Sequence, residues 1–88
     1  MTQEPTSYEL LAEAIIAQAG KDYLELRKFL YETRDGKEAR KAAKDLRDIM
    51  RFFRSRYFGV LTDVDSDWLI GKLDAEFEAW KKQQEELK

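Results

Sequence analysis

The chain has 88 residues, 43% hydrophobic and 39% charged, with a formal net charge of −2; this is too much apolar material for disorder, and the charged remainder is what amphipathic helices need. Cysteine and histidine are both absent, which excludes disulfides, thiolate zinc sites, cysteine nucleophiles, and the commonest general base and metal ligand. A single domain of this length, 1–88, buries only about 60% of its unfolded surface, so the expected core is thin.

The first residues lack a basic n-region and an apolar h-region, and no apolar run approaches the roughly 18 residues of a membrane span, so a cytoplasmic chain with no membrane partner is expected. Residues 1–6 are expected to fray. Thr6-Ser7-Tyr8-Glu9 has the form of a capping box, which starts a first helix there. Its main apolar face is Tyr8, Leu11, Ala12, Ile15, Ala19, Tyr23, Leu26 and Leu30, and the periodicity holds to about Thr33 despite Gly20. A glycine inside a helix costs about 1 kcal/mol and implies a packing reason. A second row at heptad spacing, Leu10, Ala17, Leu24 and Tyr31, lies away from the main face. A chain folding alone needs one stripe, so this second row, with Ala14 beside it, is read as an oligomer or partner interface, with a homodimer expected.

The break comes at Arg34-Asp35-Gly36-Lys37, where Gly36 can adopt the left-handed conformation and Asp35, with Glu38 three residues on, can cap the next helix. That second helix should run from about Lys37 to Arg54, with Ala39, Ala42, Ala43, Leu46, Ile49, Met50 and Phe53 on its apolar side. The aromatic stretch that follows reads as a short fourth helical element at 56–61 lidding the core. Thr62 or Asp65 then caps the last long helix, whose apolar face is Leu69, Ile70, Leu73, Phe77 and Trp80. Asp63, Asp65 and Asp67 suit its N-terminal dipole, Lys81, Lys82 and Lys88 its other end, and 83–88 should fray. The fold class expected is all-α, an antiparallel three-helix bundle running up-down-up.

Two stretches carry a resemblance: Ala14-Ile15-Ile16-Ala17-Gln18-Ala19-Gly20-Lys21-Asp22-Tyr23, and the run 52–70, which includes Phe52-Phe53-Arg54-Ser55, Leu61-Thr62 and Asp67-Trp68-Leu69-Ile70. Together they cover about a third of the chain, and they resemble small uncharacterised helical proteins of phages and prophages of Gram-positive gut bacteria. Arg56 and Ser66 depart from that pattern. The resemblance implies a phage context and a bacterial host cell, and it implies no reaction.

Three constellations compete with blander readings. Asp63, Asp65, Asp67 and Asp74 approach the spacing of a calcium loop, but Trp68 sits where that loop needs glycine, so no metal is expected and the aspartates are read as helix-start anions. Nine basic residues against four acidic ones between positions 34 and 56 give that segment about +5 and leave about −7 for the rest. Arg40, Lys44, Arg47, Arg51 and Arg54 form a stripe that could follow a phosphate backbone, with Phe52 or Trp68 stacking on bases, or could be a solvated face. Phe52 and Trp68 also point away from their own apolar faces, which suits contact hot spots or packing on Tyr57 and Phe58. No group supports catalysis and no cofactor is expected. The reading favoured is a non-enzymatic protein acting by protein–protein association, of the kind used in host takeover or in inhibiting a host defence. The alternative is a nucleic-acid-associated accessory protein that uses the basic face of the second helix.

Overall fold

The computed structural model describes residues 7–87. These form four helices and no strand: α1 Ser7–Glu32, α2 Lys37–Phe53, α3 Arg56–Leu61 and α4 Ser66–Glu86. The all-helical class agrees with the sequence, and the packing is consistent with a bundle. Thr6 and the rest of the segment 1–6, expected to fray, fall outside the described residues, as does Lys88. At the other end the expected fraying from residue 83 is not found: α4 stays helical to Glu86, and the Leu87 amide closes it by donating to the Gln83 carbonyl at 3.2 Å.

The turn between α1 and α2 differs in detail from its expected form. The N-cap of α2 is Gly36 rather than Asp35, and no side chain caps the helix. Gly36 has φ 104° and ψ 178°, a positive-φ extended conformation that glycine alone adopts without strain. Ser55 does the work at the next corner. Its hydroxyl donates to the Phe52 carbonyl at 2.7 Å, closing α2, and accepts from the Phe58 amide at 3.2 Å, starting α3. Asp65 caps α4 by accepting from the amides of Asp67 and Trp68.

One residue or more from every helix enters the core: Tyr23 of α1, Phe53 of α2, Phe58 of α3, and Ile70 and Leu73 of α4. Phe53 is its hub, 1% exposed, with ring centroids 6.1 Å from Tyr23 and 5.8 Å from Phe58. The short α3 therefore lids the core as expected, and Phe58 is the side chain that does it. Burying such a ring is worth about 1.5 to 3 kcal/mol, so these few aromatics carry much of the stability of a chain this small.

α1 is the shared element. It packs on α2 and on α4, while the backbones of α2 and α4 lie close to each other at few points. Phe52 of α2 lies near Ala14 and Ile15 of α1, and Glu38 and Ala42 of α2 lie near Phe29. α4 meets α1 with Leu73 at Gly20, Asp74 at Tyr23 and Arg27, and Phe77 and Trp80 at Tyr31. A Cβ built on Gly20 would lie 3.6 Å from Leu73 Cδ2, so the glycine sits where α4 crosses α1.

Candidate partner-binding groove

The row Leu10, Ala17, Leu24 and Tyr31 does not stay together as one outward seam. Leu24 packs against the core, and Tyr31 stacks edge-on with Phe77 and Trp80, ring centroids 6.3 and 5.6 Å away. Leu10 and Ala17 remain exposed, as does Ala14. The cause is geometric: a heptad row on a straight helix of 3.6 residues per turn drifts by about 20° per heptad. Two heptads from Leu10 carry Leu24, and three carry Tyr31, round to the side that α4 covers. The stripe read as intermolecular is in its second half intramolecular.

The α1–α4 contact is built from this half. The Tyr23 hydroxyl donates to Asp74, and Arg27 donates to the same carboxylate at 2.8 Å and to the Tyr23 oxygen at 2.9 Å. Arg27 also lies over the Phe77 ring at 4.3 Å. Burial pushes the Tyr23 hydroxyl above its ordinary value, and its bond to Asp74 adds to that, while Arg27 acts the other way. Asp74, the proposed twelfth position of a calcium loop, is held by this brace. Asp65 is a cap, and Asp67 lies 3.4 Å from Arg54.

The basic stripe of α2 is exposed, and carboxylates share it. Lys44 and Arg51 reach Asp48 at 3.2 and 3.8 Å, and Arg54 reaches Asp67. Among the described residues, Arg40 and Arg47 make no ion pair. The two off-face aromatics part company. Phe52 is half-buried in a ring cluster with Phe53, Tyr57 and Phe58, whereas Trp68 is 60% exposed with only Lys72 near its ring, at 5.3 Å.

An extended apolar concavity lies between α1 and α2. α4 seats on Gly20, Tyr23, Arg27 and Tyr31; roughly a third of a turn round α1, the residues Ile15, Ala19, Asp22, Leu26 and Phe29 line the groove. Its upper hollow, about 530 Å³, has Ala14, Ile15 and Ala19 on one wall and Ile49 and Phe52 on the other. A second hollow of about 540 Å³ continues along Leu26, Phe29 and Ile49. Past the upper end, Leu11, Tyr8 and Tyr57 are exposed. Carboxylates rim the groove on both sides: Asp22 and Glu25 from α1, Asp45 and Asp48 from α2. No family model, curated protein or solved structure matches the chain.

Of the expected interface residues, only Ala14 reaches this groove; Phe52 lines it from the other group. Ile15, Ala19, Leu26 and Ile49 lie on the faces expected to close the core, and Glu25 and Phe29 are given no role by the sequence reading. The available signal was the width of the main face of α1. With Phe29 added it is broader than a single neighbouring helix covers.

Proposed function

We propose that the protein acts without catalysis, by protein–protein association, and that the groove between α1 and α2 receives a helical segment of its partner. The observation that carries this reading is the open apolar floor at the junction of two helices, on the side away from α4. A helix laid there would complete a four-helix arrangement around α1 and α2, the ordinary way in which a groove of this type is filled. The antiparallel, up-down-up bundle is the scaffold for it.

A heterologous partner is favoured over the homodimer expected from the heptad row. Only Leu10 and Ala17 of that row remain outside, and a stable interface needs about 800 Å² per partner. The resemblance to small phage proteins supports a host protein as that partner, and with it a takeover or anti-defence role in the bacterial cytoplasm. A nucleic-acid role for α2 has less support, since three of its five stripe cations engage carboxylates.

Capture from a host lysate with tagged chain tests the reading. A protein retained by wild type and by Trp68→Ala, but lost with Ala14→Glu and with Phe29→Glu, supports it. Both groove variants are checked for wild-type helicity and melting. Retention unaffected by either folded groove variant overturns it, and a salt-sensitive complex with a generic oligonucleotide near physiological ionic strength replaces it with the nucleic-acid reading.

A further inference from the structure

We infer that the groove is selective for a cationic amphipathic helix of about 15 residues, apolar on the face it buries and basic on the flank that lies along α1. This rests on the groove reading above and names its ligand. From Ala14 to Phe29 the floor follows about 22 Å of helix α1 at 1.5 Å per residue, which sets the length of the occupant. Ala14 and Ala19 leave the upper wall low, so a helix backbone can approach closely there, while Phe52 closes that end from α2.

The rim sets the charge. Four carboxylates border the floor, and the two walls are not equivalent. On α2, Asp45 is met by Lys41 at 3.0 Å, and Asp48 by Lys44 and Arg51. On α1, Asp22 accepts only from the neutral Gln18 amide at 2.9 Å, and Glu25 has no cation within ion-pair distance among the described residues. The α1 wall therefore presents, among the described residues, two carboxylates without an ion-pair partner beside an apolar surface. A partner's lysine or arginine placed there gains attraction and displaces no cation already in place. Complementary charge of this kind sets orientation and excludes wrong partners more than it adds affinity.

The same rim argues against a second copy of this chain as occupant. Two grooves packed with their α1 walls together would set Asp22 and Glu25 of one copy against the same pair of the other, with the α2 cations already held by Asp45 and Asp48. Like charges in such a contact are unfavourable and are not relieved by the apolar floor.

The test uses the full chain and three fluorescein-labelled 18-residue helical peptides with an identical leucine and alanine face, flanked by lysine, glutamine or glutamate. Anisotropy should show the lysine-flanked peptide binding about tenfold more tightly than the glutamate-flanked one, with the difference shrinking as salt is raised. Asp22→Asn with Glu25→Gln should remove most of that preference, and Asp45→Asn with Asp48→Asn should remove less. Ala14→Glu should abolish binding of all three. Equal affinity for the three peptides overturns the charge selectivity and leaves the groove reading standing. Binding of the lysine peptide that survives Ala14→Glu places the site elsewhere and overturns both. Concentration-dependent dimerisation in sedimentation, abolished by Ala14→Glu, overturns the choice of a basic partner over a second copy.

Discussion

Gly20→Ala should stabilise the protein, although the glycine is buried at a helix crossing. Two terms favour the change. Alanine replaces glycine inside a 26-residue helix, a gain of about 1 kcal/mol in helix propensity. The new methyl enters an enclosed position, where burying one carbon is worth up to about 0.8 kcal/mol. The opposing term is steric, and the geometry makes it small: the added Cβ would meet Leu73 Cδ2 at 3.6 Å and Cδ1 at 3.9 Å, ordinary van der Waals separations. The sum is a gain of about 1 to 2 kcal/mol, and a kilocalorie shifts the midpoint by about 4 to 8 °C in a domain of this size. Two other glycines calibrate the measurement. Gly71→Ala, whose Cβ meets nothing within 4 Å, should gain propensity alone, about 1 kcal/mol. Gly36→Ala, at φ 104°, should lose about 1 to 3 kcal/mol to backbone strain. Thermal unfolding followed by circular dichroism reads all three. A Gly20→Ala midpoint below wild type, with Gly71→Ala above it, would mean that α1 and α4 cross more closely than described, and the argument from the Leu73 distances would fail.

Phe53→Ala, which empties the hub of the core, should cost about 3 to 5 kcal/mol; urea unfolding should show a midpoint near zero denaturant, and a loss under about 1 kcal/mol would refute the assignment of Phe53 as the hub. Tyr23 gives a pH prediction. Its hydroxyl is raised above 10.0 in the folded protein, first by burial and then by its bond to Asp74, so the neutral phenol is what the fold favours. The associated stability is whole below the unfolded value of about 10 and is lost as pH rises through the higher folded value. Ultraviolet titration of wild type against Tyr23→Phe should show the Tyr23 step displaced above the ordinary phenol value; a difference step at or below that value would refute it.

Helix existence was legible because it depends on local pattern. The glycine turn at 36, the aromatic lid at 56–61 and Asp65, one of two caps offered for α4, are short-range signals that the spacing carries, whereas the capping role of Ser55 was not read from it. Partner assignment for each face was less legible. On paper Leu10, Ala17, Leu24 and Tyr31 are equivalent. What separates them is the drift of a seven-residue row around a 3.6-residue helix, combined with where α4 happens to lie, and the second of these is a tertiary fact. Ile15, Leu26 and Ile49 looked like core because they are apolar and in phase. Their half-exposure follows from the arrangement of α2 and α4 around α1, which leaves one junction with no third helix. Likewise, Phe52 and Trp68 share an off-face position in sequence, and only the first has Tyr57 and Phe58 folded back onto it.

The central place of α1 also has a kinetic consequence. α2 meets α1 through a four-residue turn, so their pairing closes a short loop and requires little search. α4 reaches α1 across distant partners, Tyr23 and Asp74 being 51 positions apart, and its backbone lies close to that of α2 at few points. Loop closure costs more entropy and time as separation grows. Pairing of α1 with α2 is therefore expected to come early, and α4 to be the last helix to dock and the first to let go. Amides near the end of α4 should exchange with solvent through an opening that leaves the hairpin paired, so both walls of the groove belong to the most persistent part of the chain.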